Sequence, residues 1–350
     1  MEKKNKIEVL EALRGFAALY VVAHHLQLYE YSKLGYLTSQ GQAAVMLFFI
    51  LSGFVMYYAN YRYLDEGRFR FKAYFVRRFR RIYPVFIAAL LLAYVAACIE
   101  AKSFVPIDGR TLLGNLLNLQ DHARIPNNWF EPYYKNGPLW SLSYEWWFYM
   151  LFFPIFKYVS AEKQKYLVLA ISCIGFLTFF VYPNKISITL GYFMIWWSGV
   201  ELCRSYVTFN AIRPGTILFV LGSHLLLMGL IGAQILSDYL HKQGLNLGRH
   251  PVIEFRHYFY SFTIISFGII CYRYRFKGLA TMLKPFLYFA PISYGIYVFH
   301  APFFFRYNLF GIENEFVKVF VGMTCVLLLS YLLEVRLQKF INQRTNALLE

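Results

Sequence analysis

Residues 11–27 read Glu11-Ala12-Leu13-Arg14-Gly15-Phe16-Ala17-Ala18-Leu19-Tyr20-Val21-Val22-Ala23-His24-His25-Leu26-Gln27. The stretch is apolar enough for a membrane helix, yet it holds an acid, an arginine and two histidines. A charge inside a span costs roughly 2.5–3.5 kcal/mol and is kept mainly where it serves function. At about 100° per residue, the step from Arg14 to His25 returns to within about 20° of one face, roughly 16 Å along the axis. Glu11 lies one turn before Arg14 and shares that face, while His24 falls about 80° away. The spacing predicts a stripe of Glu11, Arg14 and His25 turned toward protein and away from lipid. The plain alternative is an arginine reaching for the interface and a histidine satisfied by a neighbouring helix.

Working outward, the chain has 350 residues, of which 58% are hydrophobic, 21% aromatic and 15% charged. Soluble domains do not look like this, and many windows exceed the roughly 18 apolar residues that cross a bilayer. In lipid the backbone must pair within its own segment, and the long runs lack the alternation of barrel strands. An all-α, polytopic membrane bundle is therefore predicted. Ten spans are expected, at about 8–29, 40–60, 78–99, 139–158, 165–182, 186–204, 214–236, 256–273, 285–307 and 315–338. The first is its own insertion signal, with no cleavable leader. An even number of spans puts both termini on one side. The Lys and Arg excess, densest from Arg62 to Arg81, makes that side the cytoplasm.

The net charge of +16 is then mostly topology. Anionic membrane lipids are expected partners and nucleic acid is not. Cys98, Cys173, Cys203, Cys271 and Cys325 sit in apolar stretches without disulfide or metal spacing, and read as buried apolar residues. Residues 1–350 form one transmembrane domain in this reading, with no internal repeat and no appended soluble domain. Two long outer loops are expected, at about 100–138 with Asn115, Asn118, Asn127, Asn128 and Trp129, and at about 237–255 with His241, His250 and Glu254. Polar loops on one face suit recognition of a polar partner there.

Five further stretches bear on chemistry. In Phe48-Phe49-Ile50-Leu51-Ser52-Gly53-Phe54, the small pair Ser52-Gly53 permits close helix approach. In Arg77-Arg78-Phe79-Arg80-Arg81, four arginines exceed what topology needs. Arginine takes phosphate in a bidentate way, and anionic lipid headgroups are the competing ligand. From Gly137 to Tyr149, Ser141 and Ser143 are expected to cap a helix start. Glu145, among aromatics, reads either as an acid–base group or as a capping carboxylate. From Ile292 to His300, Ser293, Tyr297 and His300 share one face, for a direct role or a bond between helices. His224 is expected to bond a neighbouring helix, and His250 and His257 show no metal spacing. Imidazole near neutral pH is the usual group for taking a proton from a hydroxyl, which makes His25 the candidate base.

In order along the chain, these stretches resemble the membrane acyltransferase-3 family of O-acyltransferases. The likeness rests on Arg14 with His25 after ten residues, on Phe48 to Gly53, and on an Arg-x-x-Arg pair at Arg77–Arg80 or Arg78–Arg81. It continues in Trp140 to Glu145 and in Ser293 to His300. The resemblance implies a stand-alone enzyme, integral to a bacterial inner membrane. It would move an acyl group, by default acetyl, from cytoplasmic acyl-CoA to a hydroxyl of an outer-side glycan such as O-antigen, possibly lipid-linked. It implies His25, Arg14 and Glu145 as catalytic residues and Arg77, Arg78, Arg80 and Arg81 as the site for the CoA phosphates. Glu11, Ser52, Ser141, Ser143, Tyr297 and His300 would support them, and no metal is needed. Arg14 either binds the donor or stabilises negative charge, and Glu145 orients His25 or the acceptor. A covalent acyl-enzyme on Ser or Tyr stays open, as do lipid or small-molecule acceptors. A secondary transporter and a lipid-binding assembly protein are the rival classes.

Overall fold

The computed structural model describes residues 2–26, 38–122, 125–241, 248, 250–304 and 311–346. Among these residues the chain is helical throughout, with no strand and one isolated bridge between Gln120 and Phe130. The helices are α1 (Glu2–His25), α2 (Gly41–Asp65), α3 (Phe71–Ala101), α4 (Gly109–Leu116), α5 (Leu139–Tyr158), α6 (Ala161–Val181), α7 (Lys185–Phe209), α8 (Pro214–Leu240), α9 (Val252–Arg273), α10 (Leu279–Leu283), α11 (Ser293–Phe304), α12 (Glu315–Tyr331) and α13 (Gln338–Thr345). A 3₁₀ segment, Lys284–Ile292, runs into α11, and a π-helical turn, Leu332–Leu337, joins α12 to α13.

Six helical runs among the described residues are long and apolar enough to cross a membrane. They are α2, α3, α6, α7, α8 and the continuous run Glu315–Thr345. Helix also forms at the other four expected spans. There α1 carries Glu8, Glu11 and Arg14, α5 is rich in Trp, Tyr and Ser, α9 opens with Glu254, Arg256 and His257, and α11 is only 12 residues long. Positions 27–29 and 305–307 of the expected spans, and residues 242–247 and 249 of the 237–255 loop, lie outside the described residues.

The centre of the bundle is α7, which is buried on all sides. A helix apolar all round belongs inside a protein. It lies against α2 and α6 because glycines remove the side chains that would hold them apart. A Cβ on Gly53 would sit 2.0 Å from Trp196 O, and one on Gly199 1.9 Å from Ile50 O. Gly53 thus serves the close approach expected of it. Of the cysteines, only Cys203 is fully buried; the other four are half-buried.

The expected outer loop 100–138 folds back into the bundle. Asp108 caps α4 by accepting from Thr111 N at 3.0 Å. Tyr83 donates to Leu116 O at 2.9 Å, and Asn118 Nδ2 donates to Tyr83 at 3.1 Å. Tyr83 lies roughly 27 Å along α3 from its end at Ala101, so α4 runs back along that helix. The asparagines are fasteners here. Asn115 donates to Glu131 O at 2.9 Å and accepts from Tyr133 N at 3.0 Å, and Asn136 donates to Val298 O at 3.1 Å. Lys185 falls between the expected spans 165–182 and 186–204, where a loop charge would be exposed. It is instead buried at the start of α7, with Nζ 2.8 Å from Asp121 Oδ2 and 2.7 Å from Ser143 Oγ. Tyr144 donates to the same Asp121 oxygen at 2.7 Å.

Candidate active site

Three arginines converge on one cavity. Arg14 of α1 and Arg78 and Arg81 of α3 line a space of about 140 Å³, together with Ser52 of α2, Glu145 and Tyr149 of α5, and Tyr297 of α11. Arg78 and Arg81 sit one turn apart and so face the same way; of the two expected Arg-x-x-Arg pairs, this is the one whose members both line the cavity. The other two arginines turn elsewhere. Arg77 lies 4.6 Å over the Tyr63 ring, and Arg80 donates to Thr345 Oγ1 at 3.3 Å and Asn346 Oδ1 at 3.2 Å. Buried N–H groups of Arg77 and of Arg78 lack acceptors, and a buried donor without a partner is costly. With Glu145 on the cavity wall and Glu334 paired to Arg81, two carboxylates meet three guanidiniums, and the positive charge left over suits an anion in the space.

Glu145 is positioned by α5, which starts at Leu139 after Pro138. Ser141 and Ser143 therefore lie inside the helix and do not cap it, contrary to the expectation. Ser143 donates to Trp140 O at 2.7 Å and accepts from Lys185, while Ser141 Oγ lies 2.6 Å from Tyr297 OH. Ser52 Oγ donates to Glu145 Oε1 at 2.5 Å, Tyr149 OH donates to the same oxygen, and Trp196 Nε1 donates to Ser52 at 3.1 Å. These bonds join Glu145 to Ser52 and Tyr149 instead of to His25, because α2 and α5 meet face to face at this level.

At the far end of α1, His25 meets His300. The two rings lie 5.0 Å apart at 27°, with His300 Nε2 2.9 Å from His25 Nδ1. His300 Nδ1 lies 3.2 Å from Ile296 O. A carbonyl only accepts, so His300 Nδ1 carries the hydrogen and Nε2 of the neutral ring accepts. His25 must then donate through Nδ1, and its basic lone pair falls on Nε2. His300 in effect selects the tautomer of His25. His24 is held differently, with Nδ1 2.9 Å from Thr38 O and its ring against Gly41. His25 does not line the arginine cavity. That space ends at Ser141 and Tyr297, and the Tyr297 ring stands 6.0 Å from His300.

On the other side of Arg14 and Arg81 lies a vestibule of about 570 Å³, which these two arginines line together with Glu11 and Glu334. Glu11 is exposed to it, so the stripe on α1 faces a cavity at its first member and a histidine partner at its last. Asn346 lines the same vestibule as Glu11. Ser293, expected on the His300 face, donates to Ala290 O at 2.9 Å. His224 Nδ1 bonds Val220 O of its own helix at 2.9 Å, where a bond between helices was expected. Among the described residues no cluster of His, Cys, Asp and Glu is arranged to hold a metal. Glu334, Tyr149 and Trp196 were missed by sequence reasoning. For Glu334 a signal existed, since it is an acid within the apolar run Leu327-Leu328-Leu329-Ser330-Tyr331-Leu332-Leu333-Glu334.

A family model described as an acyltransferase domain matches residues 7–335. Acyltransferase MdmB of Streptomyces mycarofaciens is 32% identical over 158 residues, covering 42% of this chain and 38% of that protein. Protein 2 in the picA locus of Rhizobium radiobacter is 35% identical over 102 residues, covering 29% of this chain and 51% of that protein. The alignments thus span about half or less of these relatives. No solved structure matches.

Proposed function

The chain belongs to the acyltransferase-3 family and is a multi-pass membrane acyltransferase; from that premise we propose that it moves an acyl group, acetyl by default, from acyl-CoA to a hydroxyl of a glycan at the opposite membrane face. The observation that supports this most is the placement of two unlike groups on α1. Arg14 stands with Arg78 and Arg81 around one cavity, and His25 stands roughly 16 Å further along, oriented by His300.

In this reading Arg78 and Arg81 take the CoA phosphates, as guanidinium forks do, and Arg14 joins them. Its distance from His25 assigns it to the donor's charged end, away from the reacting carbonyl. The pantetheine arm runs past Glu145, Ser52 and Tyr149, whose hydroxyls and carboxylate suit its amides, and reaches Tyr297. His25 Nε2 takes the proton of the acceptor hydroxyl as that oxygen bonds to the thioester carbonyl carbon. The C–S bond then breaks, the thiolate takes the proton back from His25, and ester and free CoA result. The acceptor side is the groove of about 750 Å³ between Asp108 and Lys135, with Trp129 on its wall. An inner bacterial membrane and a surface polysaccharide acceptor belong to the same proposal.

The test is transfer of labelled acetyl from acetyl-CoA in membranes carrying wild type, His25→Ala or His24→Ala at equal levels. His25→Ala should abolish transfer, with His24→Ala much milder. Substantial transfer by His25→Ala removes that residue from the role.

A further inference from the structure

One ion pair stands between the vestibule and the arginine cavity, and the donor reading leaves it unused. Arg14 and Arg81 face both spaces, so their guanidiniums form the partition. Glu334 meets that partition from the vestibule side. Its side chain is fully buried, with Oε1 2.9 Å from Arg81 Nη2. Its other oxygen accepts from Gly295 N at 2.5 Å. Oε1 lacks an aligned hydrogen bond, so charge holds the pair.

Two devices bring the carboxylate there. The helix widens into a π-helical turn over Leu332–Leu337, a feature frequent at functional sites. Gly295 lets α11 and α12 close up, since a Cβ there would come within 2.7 Å of Ser330. Neither device is needed to cross a membrane, where a buried acid is a cost.

A buried carboxylate beside these arginines either steadies Arg81 for the donor or occupies it in the donor's place. The geometry favours the second role. Glu334 approaches from the side on which an anionic donor would arrive. Vestibule and cavity are two spaces that share Arg14 and Arg81, and the cavity beyond, at about 140 Å³, is well below the roughly 300 Å³ at which ligand pockets begin. We propose that Glu334 is an internal stand-in for donor phosphate. While donor is absent, its carboxylate keeps Arg81 across the opening. Arriving phosphate exchanges with it on Arg81, and vestibule and cavity become one channel. This rests on Arg78 and Arg81 being donor arginines.

The experiment measures binding of unacylated coenzyme A to the purified full chain in detergent by calorimetry, beside KM for acetyl-CoA. Glu334→Gln keeps an acceptor for Gly295 and removes the competing charge. Kd and KM should both fall roughly tenfold, the equivalent of one charge-assisted bond no longer exchanged. In an Arg81→Ala background the same substitution should do nothing. Weaker binding by Glu334→Gln would mean a steadying role, and unchanged binding a purely structural one; either overturns the proposal. If the Gln variant does not accumulate, Glu334→Asp, whose shorter side chain withdraws from Arg81, should tighten binding by a smaller factor, and no tightening overturns it. If Arg78→Ala and Arg81→Ala both leave Kd unchanged, the donor reading fails and the stand-in with it. If they weaken binding and Glu334→Gln does not tighten it, the stand-in alone fails.

Discussion

Replacing His300 with Ala removes the acceptor that faces His25 Nδ1 and leaves the imidazole of His25 itself in place. The structure supplies the size of the effect. One bond of 2.9 Å between neutral rings is lost, which by itself contributes about 1 kcal/mol, or roughly a factor of five in rate. The stacked ring at 5.0 Å is lost as well. His25 can then swing away or adopt the tautomer with its hydrogen on Nε2, and misplacement of a base by about 1 Å costs roughly 100-fold. Together, kcat should fall roughly 10- to 100-fold. KM for acetyl-CoA should hold, because Arg78 and Arg81 line a cavity that excludes His300. His300→Gln, whose amide oxygen can accept from Nδ1, should recover part of the loss. Adding His300→Ala to His25→Ala should cost nothing more, since residues that act as a unit are non-additive. The assay is steady-state acetyl transfer in detergent or proteoliposomes with both substrates varied. Wild-type kcat in His300→Ala, or a rise in donor KM at unchanged kcat, refutes the tautomer argument.

Four further outcomes are expected. Gly53→Ala places a methyl 2.0 Å from Trp196 O and should lower stability by roughly 1–3 kcal/mol or more, seen as a lower melting temperature in detergent. Gly229→Ala on α8, with nothing within 4 Å, should be neutral or gain up to about 1 kcal/mol. Lys185→Met leaves Asp121 buried without its cation and should cost roughly 3–5 kcal/mol; adding Asp121→Asn should restore much of the melting temperature, and failure to do so would refute the pair's role. Burial works against charge on His250, ahead of α9, but the hydrogen bond and charge of Glu254 outweigh it, with Asp121 adding to them, and its pKa is raised above the ordinary value. A group raised on folding stabilises fully below its unfolded pKa of about 6.5 and loses that contribution as pH rises through the folded value. Hydrogen exchange at residues 250–258 should therefore quicken with rising pH beyond the intrinsic rate, and Glu254→Gln should flatten the trend.

Features that repeat along one helix were legible before any coordinates. Arg14 and His25 are separated by three turns, so periodicity alone places them on one face, and the arginine pair and the Tyr297–His300 row follow the same rule. Glycine at Gly53 is legible because only one physical cause, close backbone approach, commonly puts it in a span beside serine. Pairings between helices were not legible. Glu145 was expected to orient His25 or the acceptor; its partners in the structure, Ser52 and Tyr149, depend on how α2 and α5 are rotated, which no single helix encodes. Lys185 and Asp121 meet across 64 positions of sequence, and composition counts both as loop charges. The fold-back of α4 escaped for the same reason, since its anchor is one tyrosine hydroxyl on another helix.

If the chain acts as proposed, the arrangement of charge along the bundle has a use that a general anion pocket would not give it. A small anion needs only the guanidiniums of Arg14, Arg78 and Arg81, and would gain nothing from an oriented imidazole three turns away. A lipid headgroup would be met at the bundle surface, where Arg80 lies, and would not call for Glu145, Ser52 and Tyr149 bonded together in a buried wall. A donor that is charged at one end and reactive at the other, joined by a polar arm, uses all three parts in sequence. That is why Tyr297 matters to the reading. It lines the arginine cavity, lies 2.6 Å from Ser141 Oγ and stands 6.0 Å from the His300 ring, so in the proposed function it is the side chain between the donor's arm and the histidine pair.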